Sequence, residues 1–240
     1  LTSELGQNFH TADIECLKYC HDGAYLLTGS KDNSIKIWDS NSFGTGSPTT
    51  TINYPDGGSN ARFGHSTDFA GNYLLVGSIY SSVNTQYAGQ IYIYQLDGTL
   101  VSQVASPNVT SSGGFGFGLA VDSSGSGKWS VGAIGEGKVY VFQQAMSEAG
   151  GGSGEVVWSN AENNIVNVPG NNTAPGSGNS YATMYGYTLV AHTGVDGKDY
   201  YIAWAEGNSD GDKYHEIYNM TDGVSLGWSD GTGNNGPGSM

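Results

Sequence analysis

The chain has 240 residues, 12% of them charged, and its 8 basic against 22 acidic side chains leave a formal charge of −14. An acidic surface speaks against nucleic acid and anionic lipid as partners, and no apolar run approaches the ~20 residues that span a bilayer. Frequent aromatic residues and short β-branched runs speak against disorder, and the 39 glycines spread between those runs read as turns of a chain long enough to bury a sizeable core.

The chain begins at Leu1 without a methionine or a signal peptide, which reads as a processed or trimmed end. Residues 1–8 resemble Leu100–Asn108, so 1–10 is expected to form an outer or closing strand. The first strand is predicted over Ile14–Cys20. It carries Cys16 and Cys20, which on a strand lie about 13 Å apart. That exceeds the ~7 Å reach of a disulfide, so they read as two small buried hydrophobes, with an intermolecular bridge as the sharper alternative. Two alternating runs follow, Tyr25–Ser30 and Ser34–Trp38, and then a weaker one over Thr49–Tyr54.

This set of four recurs. The second copy is Phe63–Phe69, Tyr73–Ser78, Gln90–Tyr94 and Leu100–Ala105. The third is Phe117–Asp122, Trp129–Ala133, Lys138–Phe142 and a run within Glu155–Val168. The fourth is Tyr185–Ala191, Tyr201–Ala205, His215–Tyr218 and Val224–Trp228. Tyr-Leu-Leu-Thr-Gly-Ser at 25–30 returns almost unchanged as Tyr-Leu-Leu-Val-Gly-Ser at 73–78. No stretch has capped helical periodicity. Four short antiparallel strands repeated about four times predict an all-β fold, a β-propeller of about four four-stranded antiparallel blades. The blades are expected at about 14–55, 61–107, 113–168 and 183–230 of one domain spanning 1–240, with Gly/Ser/Asn-rich loops at 149–153 and 170–180 and a flexible tail at 231–240.

Over residues 9–40 the first copy resembles a WD repeat. His10 stands where that family has its Gly-His histidine, with Phe9 replacing the glycine, and His21-Asp22-Gly23 forms the following turn. Thr28, Asp32 and Trp38-Asp39 match the later positions. The resemblance implies a hydrogen-bonded structural tetrad of His10, Thr28, Asp32 and Trp38. A buried Asp needs donors, and His, Thr and the Trp N–H are expected to supply them. The later copies resemble FG-GAP repeats, the kind that build the integrin α-chain propeller. Phe63-Gly64 leads to Val76-Gly77-Ser78, Phe117-Gly118 to Val131-Gly132-Ala133, and more loosely Tyr185-Gly186 to Ala203-Trp204-Ala205.

Many FG-GAP repeats carry a calcium loop whose oxygen ligands alternate along a tight turn. The segment from Asp122 keeps that spacing with Ser124 and Ser126 but only the first carboxylate, and the segment from His192 keeps Asp196 and Asp199. Both are weak calcium candidates, and the expectation is a chain without cofactor. Asn108, Asn171 and Asn219 open N-glycosylation triplets in loop-like stretches. The five histidines, His10, His21, His65, His192 and His215, are scattered without metal-ligand spacing. The glycine-rich runs at 113–118 and 125–127 precede no helix, so neither reads as a phosphate loop or a nucleophile elbow.

The expected function is that of a non-enzymatic extracellular or cell-surface protein, structural or adhesive, such as the repeating subunit of a filament or appendage. Strand 1–10 is expected either to close the ring beside Val224–Trp228 of the fourth copy or, in an open arrangement, to pair with the sheet edge of a neighbouring molecule, and self-association is expected. The alternative is a lectin-like propeller that binds a glycan or another ligand through the Tyr-rich stretches Tyr80–Tyr87 and Tyr181–Tyr187.

Overall fold

The computed structural model describes residues 9–20, 22–42, 47–57, 61–82, 87–107, 114–121, 128–134, 138–146, 156–167, 188–193, 199–206, 213–219 and 225–229. Among the described residues, sixteen strands form four antiparallel four-stranded sheets, each built from strands consecutive in sequence. The first sheet contains β1 (Ile14–Tyr19), β2 (Tyr25–Ser30), β3 (Ser34–Asp39) and β4 (Thr50–Asn53). The second contains β5 (Phe63–Ala70), β6 (Tyr73–Ser78), β7 (Gln90–Gln95) and β8 (Leu100–Ala105). The third contains β9 (Phe115–Val121), β10 (Lys128–Ala133), β11 (Lys138–Met146) and β12 (Val156–Asn167). The fourth contains β13 (Thr188–Thr193), β14 (Asp199–Glu206), β15 (Lys213–Asn219) and β16 (Ser225–Ser229). The fold is therefore the expected β-propeller, and each sheet is a blade.

The chain divides into two compact units, Leu1–Gly116 and Phe117–Met240. In the first, the register puts Leu27, Ile35, Ile37 and Ile52 on one face of blade 1. These pack against Phe63, Leu74, Val76, Tyr92 and Tyr94 of blade 2. Phe63 is the centre of an aromatic cluster, 5.4 Å from Tyr92, 5.8 Å from Tyr54 and 6.1 Å from Tyr94, in edge or tilted contacts that suit the ring quadrupoles. The middle strands β2, β3, β6 and β7 are buried along almost their whole length. Their polar positions, among them Thr28, Ser34, Lys36 and Gln90, are therefore buried together with the apolar ones. In the second unit the Trp129 and Phe142 rings stack at 4.3 Å, and Val131, Val139, Tyr140 and Val141 of the same two strands are buried.

One glycine pair sets how closely blades 1 and 2 approach, and a second brings β6 against the first residues of β9. A Cβ on Gly29 would sit 2.0 Å from the Gly64 carbonyl oxygen, and one on Gly77 would sit 2.3 Å from that of Gly116. Gly64 and Gly116 have φ of +91° and +95°, in the left-handed region. The structure thus gives Phe115-Gly116 the place that Phe63-Gly64 holds one blade earlier. The sequence reading had assigned that place to Phe117-Gly118. The run Phe-Gly-Phe-Gly repeats at the period of a strand, so both frames put the same residue types on the same face, and only the contact with Gly77 separates them.

Candidate functional site

The densest polar cluster lies on the face of blade 1 that turns away from blade 2. Leu26 pairs with Trp38 across β2 and β3, and Thr28 is on the same face one position along. Residues 9–13 fold over this face, and the Phe9 ring meets Trp38 edge-on at 5.2 Å. Trp38 Nε1 donates to Thr28 Oγ1 at 3.0 Å. His10 Nε2 lies 2.8 Å from Thr28 Oγ1 and His10 Nδ1 lies 2.9 Å from Asp32 Oδ2. Because the indole only donates and the carboxylate only accepts, a neutral His10 satisfies every bond one way: Trp38 donates to Thr28, Thr28 to His10, and His10 to Asp32. A chain polarised in one direction strengthens each of its bonds.

His10, Thr28, Asp32 and Trp38 are thus brought together, but Trp38 does not reach Asp32 as the sequence reading expected. The Trp38 N–H is taken by Thr28. The other donors to Asp32 are the Ser34 hydroxyl at 2.7 Å, the Ser34 amide at 2.9 Å and the Thr11 amide at 2.9 Å. Burial alone would raise the Asp32 carboxyl, but Ser34, Thr11 and His10 outweigh it and hold the group below its ordinary range. Phe9 and His10 are therefore occupied within blade 1, and residues 1–8 of the expected closing strand lie outside the described residues. His21 of the following turn also lies outside them, whereas Gly23 takes φ +71° and Asp22 accepts from the Ala24 amide.

A second cluster joins β1 to the start of β5. Glu15 Oε1 pairs with Arg62 Nη1 and Glu15 Oε2 with His65 Nδ1, both at 3.3 Å. Burial pushes the His65 imidazole below its ordinary range, against the pull of Glu15 and with the help of Arg62. Farther along β1, Lys18 Nζ reaches Asp68 at 3.0 Å. The Arg62 guanidinium carbon lies 5.4 Å from the centroid of Tyr80, whose ring meets Tyr87 at 5.5 Å. The sequence reading singled out the Tyr80–Tyr87 stretch but missed Glu15 and Arg62, which carry no local motif.

Both cysteines are free. They are half-buried, where the sequence predicts two small buried hydrophobes, and each thiol has a polar partner. Cys16 Sγ lies 3.1 Å from Thr67 Oγ1, while Cys20 donates to Asp22 at 2.8 Å and accepts from the Tyr25 amide at 2.9 Å. Burial pushes both thiols up. Among the described residues no group of three His, Cys, Asp or Glu side chains could hold a metal ion. Asp122, Ser124, Ser126 and Asp196 lie outside the described residues, as do Asn108 and Asn171. Asp199 opens β14, paired with Thr193. Asn219 closes β15, paired with Tyr200, so its backbone ends a strand where a loop had been expected.

Comparison with known proteins agrees with this geometry. A family profile for the WD domain, G-beta repeat, matches residues 4–39, and an FG-GAP repeat profile matches residues 49–94. A WD40 propeller chain in the crystal structure of a mitotic checkpoint complex is similar at a TM-score of 0.51 and 16% identity, over 89% of this chain and 52% of that one. The present chain thus spans about half the length of that solved chain, and at this identity the likeness concerns the fold alone. A search of curated proteins returns no match. The chain is a β-propeller in which a WD-type first blade is followed by FG-GAP-type repeat sequence.

Proposed function

We propose that this chain is a non-enzymatic extracellular protein with a structural or adhesive role, a propeller that associates with further copies of itself on a cell surface or in a filament. One observation carries the reading. Ile14, Leu17 and Tyr19 on β1 are 55%, 58% and 50% exposed. Their partners Ser30, Thr28 and Leu26 put all three on the Trp38 face of blade 1, opposite the face that packs on blade 2. A row of three large apolar side chains on one sheet face is the kind of surface that another protein covers. Composition supports the same reading, since a chain rich in Gly, Tyr, Asn and Ser with three glycosylation triplets suits an extracellular setting. The fold is one that serves widely as a scaffold, and no described helix is long and apolar enough to cross a membrane.

Light scattering and negative-stain electron microscopy of the purified chain test this. Ordered polymers or discrete oligomers are expected. A strictly monomeric particle at high concentration overturns the proposal. A second reading, a lectin-like propeller, is favoured by the Arg62, Tyr80 and Tyr87 cluster.

A further inference from the structure

The exposed rings at Tyr80 and Tyr87 call for a ligand of their own. They are 39% and 42% exposed, although other tyrosines of the same blade, Tyr92 and Tyr94, are buried to 0% and 2%. Tyr80 follows β6 and Tyr87 precedes β7, so both project from one loop at one end of blade 2. The backbone at each of the two tyrosines is tied down. The Tyr80 amide donates to Ala61 at 3.0 Å, the Tyr87 amide to the Ser82 hydroxyl at 3.3 Å, and the Gly114 amide to the Tyr87 carbonyl at 3.3 Å. Arg62 and Tyr87 are two of three described non-glycine residues with positive φ, at +49° and +58°. Side chains held out from fixed backbone lose little freedom on binding, which is what a stacking platform requires.

We infer that Arg62, Tyr80 and Tyr87 form a binding site for a neutral sugar. The inference rests on the lectin-like reading of the chain and names the site and the ligand class. The C–H face of a pyranose stacks on an exposed tyrosine ring, and the two phenols and the free N–H groups of Arg62 meet its hydroxyls. Charge selects a neutral ligand. Arg62 is already paired with Glu15, so the site offers little net positive charge. The chain as a whole is at −14 and repels anions. A nucleotide or a sulfated glycan is therefore disfavoured. A proline-rich peptide also stacks on tyrosine, but it would need a run of aromatic slots, and the cluster supplies one.

Saturation-transfer NMR on the full chain tests this with maltotriose, N,N′-diacetylchitobiose, mannotriose and a ten-residue polyproline peptide as probes. Transfer to at least one sugar is expected, with binding weakened about tenfold or more in Tyr80→Ala and in Tyr87→Ala and largely kept in Tyr80→Phe. Melting curves of the variants must match that of the parent chain. If they do not, competition between the sugar and iodide quenching of tyrosine fluorescence in the parent chain replaces them, and absence of competition overturns the site. Sugar binding left unchanged by both alanine variants overturns the site while the lectin-like reading stands. No transfer to any sugar, or transfer to the peptide alone, overturns both.

Discussion

Thr28 has two partners in blade 1. Its hydroxyl accepts from Trp38 and donates to His10, so Thr28→Val would leave a buried indole N–H and a buried imidazole nitrogen without partners. A loss of about 2–4 kcal/mol is expected in urea unfolding, with Thr28→Ser close to the parent chain. Trp38→Ala removes a large buried ring as well and should cost ~3–5 kcal/mol; an unchanged melting curve for either would dismiss the structural role of the tetrad. Tyr94 offers the opposite case. Its hydroxyl is buried with no hydrogen-bond partner, and burial with Asp56 nearby pushes it well above the ordinary tyrosine range. Tyr94→Phe should therefore leave stability unchanged or raise it slightly.

His65 gives the residue scale its pH dependence. Its folded pKa lies below the ordinary 6.5, so the unfolded chain takes up a proton that the folded chain refuses. The stability is complete above the unfolded pKa and is lost as pH falls below about 6.5. Asp32 acts lower on the scale. Its folded pKa is below 3.8, so its contribution survives to that region and disappears as pH falls through the folded value. Urea midpoints at pH 7 and pH 5 should separate in the parent chain and draw together in His65→Gln.

Strands alone do not hold blades 1 and 2 together; the glycine contacts decide their spacing. Gly29→Ala places a methyl group 2.0 Å from the Gly64 backbone oxygen of blade 2, where nothing flexible can yield. The blades must separate, and a loss of at least about 3 kcal/mol is expected. Gly23→Ala is the control. Nothing lies within 4 Å of that Cβ, so only the left-handed backbone at φ +71° resists it, at roughly 1 kcal/mol. Equal melting temperatures for Gly29→Ala and Gly23→Ala would mean that the close approach does not set the spacing.

Assembly of the whole molecule is tested by two changes that leave the tetrad intact. Deleting residues 1–8 keeps Phe9 on Trp38 and His10 on Thr28 and Asp32, whereas deleting 1–10 would also break blade 1 and confound the result. The double variant Leu17→Lys, Tyr19→Lys should dissolve polymers with little change in melting temperature, because both side chains are already exposed. If the shorter deletion dissolves the polymer and the double variant does not, strand exchange by residues 1–8 carries assembly and the β1 face does not. Chelators should shift the melting temperature by no more than a degree or two, given one carboxylate in the first candidate calcium loop and two in the second.

Period-two alternation, the returning Tyr-Leu-Leu run and the glycines between strands determined the sixteen strands and their grouping into blades, because strand formation and hairpin pairing are local. His10, Thr28, Asp32 and Trp38 were legible for the same reason, since one blade of consecutive strands brings them together. The direction of their bonds was not, because only the folded geometry shows that Thr28 intercepts Trp38 before Asp32 can. The frame of the third blade, Phe115-Gly116, was hidden by a repeat that matches the strand period and was settled by a backbone contact across 39 residues. The Glu15, Arg62 and His65 cluster joins residues as much as 50 apart on two blades, and none of them carries a motif. Local sequence sets which residues become strands and which way they face, but only blade-on-blade packing decides which of those faces meet.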